Sequence, residues 1–555
     1  MNCKGIILLG AGLLPFFVTN AQEQSKDSTL NRTVVVENQY NPEIMDAFKV
    51  NVLPDIEEPA VPKRHIDYAT SSRLLSGWRG SLMPAITVEE KQRDAYRGYL
   101  QLAYGNRNNT DAKASYLWNI TERDRLNIMA SLYGMKGKIS SLGADEDWNS
   151  RFYRTDISLD YKHDFRKVSL NLGGAFASQV FNYMPEAGDN ASGGTFVSDK
   201  QHYTLGEGYV GVSSRDGDLP VQFSLQSGFR MFDRKYVLPY GMSDSESSVH
   251  TEGGIYGNID ERQQVGLSFA MDNMFYDGLL KDYTLLQINP YYSLQNDAVR
   301  FRAGVHVDGQ TANGSGIKVA PDVKFDFIFA GSYRFYIHAT GGTCLNDFRR
   351  LNEISPYWLQ NEQLHSSYTP VDARVGLKAS PLTDLGFEVF GGYRVTKDEL
   401  FTLPGVPDGY TNYLYGALLQ EQANVAYGGG LLSYGYKDWF DFTVDGTYYN
   451  WDADVEGSKY LLYLKPQFVL NVLLHARIVG DAYAEAGYRY ENRKAVDNLK
   501  AADAVNDLRL SVGYRFFNRL DVFGRIENLL NKKYISETGY PVQGFTVQGG
   551  VSLRF

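Results

Sequence analysis

Histidine is the first residue type to weigh for chemistry. The chain has eight: His65, His163, His202, His250, His306, His338, His365 and His475. None stands in an HExxH or HxH pattern, the spacings that bring two imidazoles to one metal. His306 and His338 lie on nearby segments and on the same expected face. A metal or a general base is conceivable there, but two solvated polar side chains are the simpler reading. No GxSxG elbow presents a serine nucleophile, and no Ser-His-Asp pattern suggests a hydrolase. Asp145-Glu146-Asp147 lacks the glycine and distal glutamate of a calcium loop and reads as a solvated acidic tip. Gly253-Gly254 and Gly428-Gly429-Gly430 sit inside alternating segments, not ahead of a helix. They suit close packing or bends, not phosphate binding. Cys3 and Cys344 are the only cysteines, which excludes a disulfide framework and a CxxC zinc site. No catalytic, cofactor or metal site is expected, and the chain does not read as an enzyme.

The elements that carry these residues have one texture. The 555 residues include 40 Tyr, 30 Phe and 54 Gly, with mean hydropathy −0.34. Only one apolar run, near the start, has any length, so a polytopic helical membrane protein is excluded. A net charge of −10 leaves no basic footprint for nucleic acid. From Ala95 to Phe555, segments of ten or more residues alternate apolar with polar or small side chains. In the last, Phe545, Val547, Gly549, Val551, Leu553 and Phe555 oppose Thr546, Gln548, Gly550, Ser552 and Arg554. Strand side chains alternate faces, so each segment has an apolar and a polar side. Charges such as Arg300, Arg302, Lys324, Asp326, Asp441 and Asp445 fall on the polar side, as a wet lumen would have them. Tyr133, Tyr161, Tyr292, Tyr393, Tyr448 and Tyr490 fall near segment ends, where interfacial girdles lie. Such lengths suit tilted membrane strands better than a soluble sandwich.

Three regions follow. Residues 1–21 have a basic start, an apolar run and a small-x-small end, the pattern of a cleaved secretory signal peptide. Residues 22–94 show no sustained alternation and include the Pro-rich, acidic stretch from Pro54 to Pro62. Residues 95–555 predict an all-β, antiparallel, up-and-down transmembrane barrel of about 22 strands. Tight turns, such as Pro381 to Asp384 and Phe517 to Arg519, alternate with longer loops, such as Pro185 to Asp199, Asp347 to Tyr368 and Leu403 to Leu419. Short turns belong in the periplasm and long loops outside, so the strand number is even.

The C-terminal residues resemble a known family. Ile526-Glu527-Asn528-Leu529-Leu530-Asn531-Lys532-Lys533-Tyr534, then Gly539-Tyr540-Pro541-Val542-Gln543-Gly544, is similar to the penultimate strand and last loop of TonB-dependent receptors. Phe545 departs from the Arg common in that family. The terminal Phe555, with Phe545, Val551 and Leu553 on its strand, resembles the signal read by the barrel assembly machinery. Thr33-Val34-Val35-Val36 resembles a TonB box, a segment able to add a strand to TonB. The family's globular plug is longer than residues 22–94, which read as a vestigial plug. Leu75, Trp78, Leu82 and Met83 are its candidate anchors to the lumen wall. The style of the N-terminal segment, and of the whole chain, resembles that of proteins of the Bacteroidota.

The resemblance implies a Gram-negative outer-membrane barrel for solute uptake. The alternative is a structural or accessory barrel of an envelope complex. The implied partners are outer-membrane lipid and lipopolysaccharide, the assembly machinery, TonB and other envelope proteins. A lumen this wide must be occluded by something.

Overall fold

The computed structural model describes residues 96–555, apart from 141–146, 186–198, 216–219, 237–244, 313, 360–363, 408–412, 438, 454–457, 494–501 and 537–538. The signal-peptide, TonB-box and anchor residues of the N-terminal region therefore lie outside the described residues.

Alternating β-branched and aromatic residues pair into one continuous antiparallel sheet. Each of its twenty-two long strands bonds its sequence neighbours, from Gly98–Gly105 to Thr546–Arg554. First and last strands then pair with each other, Tyr99 opposite Arg554 through Gly105 opposite Gln548, and the sheet closes. At the seam, Gly98 and Phe555 exchange both backbone bonds, at 2.7 and 3.0 Å. The Phe555 ring lies over Gly98, where any side chain would collide with it, and stacks beside Tyr116. Inside, buried Asp521 accepts from Arg515 at 2.8 Å, Arg554 at 3.0 Å and Ser552 at 3.3 Å. Arg525 reaches Asp111 at 3.3 Å, tying the last strands to the first.

The two faces follow the alternation. Val547, Val551, Leu553, Leu159, Leu267 and Val389 are exposed on the outer face. Thr546, Gln548 and Ser552 are buried on the inner one. Arg302 pairs with Asp322 at 2.6 Å, and Asp326 with Arg334 at 2.7 Å, among the inner residues. Asp445 accepts from Asn471 at 2.8 Å. Glycines recess this inner surface to admit tyrosine rings from the next strand. Gly376, for example, leaves the space that Tyr336 fills, and the Tyr336 hydroxyl donates to Glu388 at 2.6 Å. Ring-over-glycine contacts restore apolar cover where a strand lacks a side chain.

The links of two or three residues, such as 165–167, 330–332 and 383–384, fall on one rim; both barrel ends share that rim. The other rim carries the long loops together with shorter links, among them the 3-10 turn Asn106–Asn108 and residues 311–315. Two expectations need correction there. Leu403 to Leu419 is mostly ladder, not loop: Leu385–Pro407 and Tyr413–Tyr436 run on as one tall hairpin. Tyr133 is not in a girdle; it is 5% exposed and faces inward, because its strand places it on the lumen side.

The faces set a prediction. Leu159→Lys puts a charge on the apolar band and should cost ~2–4 kcal/mol near the membrane midplane. Ser158→Lys, one residue away, should be nearly neutral, since Ser158 lines a cavity inside the barrel. Folded yield in lipid vesicles, read as heat-modifiable gel mobility, checks this. Equal loss from both variants would show the faces exchanged.

Candidate functional site

The largest buried hydrophobic cluster among the described residues is in the mouth at the long-loop rim. It is built by segments that leave the wall and cross the lumen. The first is the stretch after Cys344. Asp347 caps a short helix, Phe348–Ile354, by accepting from Arg350 N–H at 2.8 Å. Burial pushes the Asp347 carboxyl above its ordinary value. Phe348, Leu351 and Trp358 are fully buried, the last in a two-residue strand, Trp358–Leu359. That strand runs parallel to Gly416 and Ala417, and Gly416 N–H donates to Tyr357 at 2.8 Å.

The second segment is Met184–Pro185, which follows Val168–Asn182 and pairs antiparallel with Tyr413 and Leu414. Counted around the ring, Val168–Asn182 is the fifth strand and Tyr413–Tyr436 the sixteenth. In a ring of twenty-two, they stand half a circumference apart. Main-chain pairing here therefore bridges the mouth across its diameter. The tall hairpin reaches inward past two register shifts, Thr396/Glu399 and Leu403/Val406, with Asp398 at φ 57° between its ladders. Bulges bend a strand and increase its twist. Lys465 steadies the bent arm, donating to Glu399 at 2.7 Å and to the Leu400 carbonyl at 3.1 Å.

The third contribution comes from the last loop. Asn528 shapes it, donating to the Lys532 and Gln543 carbonyls at 2.9 and 3.1 Å. Tyr540 then enters the cluster and stacks on Tyr357 at 3.8 Å, with planes 6° apart. Its hydroxyl donates to the Leu414 carbonyl and accepts from Met184 N–H at 3.2 Å. One phenol thus joins both sides of the bridge. Trp148 meets both rings edge-on and donates to the Tyr183 carbonyl at 3.2 Å. Burial raises the Tyr183, Tyr357 and Tyr540 phenols well above their ordinary values, so all three are neutral.

Polar contacts from consecutive wall strands hold the helix. Gln179 and Asn352 exchange amide bonds at 3.0 and 3.3 Å. Glu207 accepts from Arg349 at 2.6 Å. Glu246, 5% exposed, accepts from Phe348 N–H at 3.0 and 3.1 Å. Arg234 lies 3.7 Å from the Trp358 ring centre and 4.8 Å from that of Phe348, a cation held between aromatic faces. Inward of the helix is a cavity of about 490 Å³, lined in part by Arg154, Arg230, Arg349, Asp156, Glu207 and Glu353. Its charges are largely paired with one another, as Arg154 is with Asp156 at 2.8 Å.

The residues singled out in the sequence fare differently. His306 contacts Asn289 at 2.8 Å and His338 contacts Asp326 at 3.1 Å, on strands separated by Gly316–Phe329, so they form no joint site. Among the described residues, no group of three metal-ligating side chains converges. Cys344 is exposed at its strand end. Phe545 accepts through its carbonyl from Arg107 at 2.9 Å and Asn106 at 3.2 Å, bracing the loop against the first hairpin. The crossing segments were missed: Asp347 to Tyr368 reads as an outer loop. Its signal is an Asp cap followed by Phe348, Leu351, Tyr357 and Trp358, too apolar for a loop in water.

No protein-family model matches the chain, and no curated protein matches it. Solved structures do. A mutant of the ferric enterobactin receptor PfeA of Pseudomonas aeruginosa, in complex with enterobactin, matches with TM-score 0.62 at 12% identity, covering 82% of this chain and 81% of that one. The copper transporter OprC matches with TM-score 0.60 at 13% identity, covering 83% and 81%. The ferric-catecholate import receptor Fiu of Escherichia coli K12 matches with TM-score 0.59 at 11% identity, covering 83% and 82%. At these identities the likeness is one of fold: this chain is built on the same large closed barrel as these receptors.

Proposed function

We propose that the protein is a receptor-like outer-membrane barrel that takes up a solute, with a mouth kept shut by its own chain. One observation carries this reading: main chain bridges the lumen across its full diameter at the long-loop rim. A polar-lined lumen inside an apolar outer band suits passage of a water-soluble cargo. The short-turn rim then faces the periplasm and the bridged mouth faces outside. Residues 22–94 enter the lumen from the periplasmic side, leaving Thr33 to Val36 for TonB. Export follows cleavage of residues 1–21, and the strand ending in Phe555 is read by the assembly machinery. The mouth opens when cargo or TonB pulls the crossing segments from their anchors.

A second reading has its own support. Phe348, Leu351 and Trp358 are packed like a domain core, anchored by several strands, as befits a permanent seal. A permanently sealed barrel would serve as a structural member of an envelope complex.

Two experiments separate these readings and test the first. In planar bilayers, a chain lacking residues 22–94 should conduct weakly. The same chain with residues 348–358 replaced by a Gly/Ser linker should show large, steady openings. Equal conductance would mean the crossing segments do not close the mouth. In cells, crosslinking to TonB should be abolished by Val35→Pro with barrel assembly intact, because proline removes an N–H that strand addition needs. A wild-type chain that never crosslinks to TonB, yet co-purifies with envelope proteins, would favour the structural reading.

A further inference from the structure

The short-turn rim carries an unassigned surface. Turns exposed to water favour Gly, Asn, Asp and Ser. Here each short link except 296–298 has an exposed large apolar side chain on or beside its described residues. Examples around the ring are Phe165, Ile259, Trp439, Val479 and Phe517. Val479 is 77% exposed and Phe517 90%, more than any outward residue of the last strand. The terminal Phe555 joins the same ring at 53%. Exposed charged residues of both signs interleave with it, among them Arg166, Lys167, Arg262 and Lys437 and the acidic Asp260, Asp384 and Asp481.

An apolar ring broken at only one link would, in water, be a large unsatisfied patch. It is continuous with the outer apolar band, since Val512, Val522 and Val551 lead down to Phe517 and Phe555. A mix of apolar and charged side chains suits the headgroup layer, where long basic side chains extend toward the polar side. We infer that the short-turn rim is submerged in the membrane interface, so that the turns themselves, and not only the strand ends, contact lipid. The inference rests on the membrane reading above. It places the lumen's lower opening level with the headgroups. Whatever enters from that side does so at the membrane plane.

Site-directed spin labelling of the full chain in lipid vesicles tests this. Cys3 and Cys344 are first replaced by serine. Single labels then go on through Val479→Cys, Phe517→Cys, Asp297→Cys and Val551→Cys. Collision with dissolved oxygen reports lipid, and collision with a water-soluble nickel chelate reports water. Labels at 479, 517 and 551 should favour oxygen several-fold over the chelate. The label at 297, on the one link without an apolar side chain, should show the reverse. Chelate access at 479 and 517 equal to that at 297, with 551 still in lipid, would overturn the submerged rim alone. Exclusion of both probes at 479 and 517 would also overturn it, by showing a protein cover. Chelate access at 551 would instead bring down the membrane reading itself.

Discussion

The pairing of Gly98–Gly105 with Thr546–Arg554 is the interaction on which the rest of the molecule depends. A sheet in hydrocarbon cannot leave an edge, because each unpaired N–H or C=O there costs several kcal/mol. Closure must therefore bring residues more than four hundred positions apart into register. The seam is secured on both faces. Outside, Phe555 lies over Gly98 against Tyr116; inside, Asp521 and Asp111 collect Arg515, Arg554 and Arg525. A slip of one residue would drive those carboxylates onto the apolar outer face. The same alternation that satisfies the seam then dictates an apolar exterior and a polar interior around the whole ring.

Closure at this strand number creates a second constraint, a lumen too wide for wall side chains to fill. The chain answers with main chain. Met184–Pro185, Trp358–Leu359 and the bent hairpin arm meet in the mouth, where unpaired backbone would be expensive if dry. Short ladders satisfy part of that backbone, and Tyr540 supplies another part through one hydroxyl. Burial of each large side chain contributes ~1.5–3 kcal/mol, offset by the entropy of ordering its segment. The polar anchors, Gln179, Glu207 and Glu246, add direction more than energy: they choose where the helix sits. The bridge depends on the seam, since Tyr540 stands on the loop that Asn106 and Arg107 brace.

Much of this was legible in the residues. Period-two alternation through Val551 and Leu553 identifies the outer face, and turn lengths identify the strand number and the two rims, because both are local properties. The mouth was not legible, for a physical reason. Whether Phe348 and Trp358 point into solvent or across a lumen depends on what stands opposite, and nothing within the segment states it. The tall hairpin was obscured in the same way: Asp398 and two bulges break the alternation, so strand reads as loop. Tyr540 shows the middle case. Its motif marks the last loop, yet its task, joining Met184 to Leu414, appears only in three dimensions. Tyr133 shows the converse: its sequence position suggests a strand end at an interface, yet it lies mid-strand in a lumenal cluster.

The central claim is that the chain spans its own mouth. It is tested most directly by disulfide trapping across the diameter, in cells, with Met184→Cys and Leu414→Cys combined. These residues face each other in the antiparallel pair and belong to opposite walls. The account predicts rapid trapping under mild oxidation in the absence of any cargo, with none for either single variant. A double variant that reaches the membrane folded, yet keeps both thiols free, would contradict it.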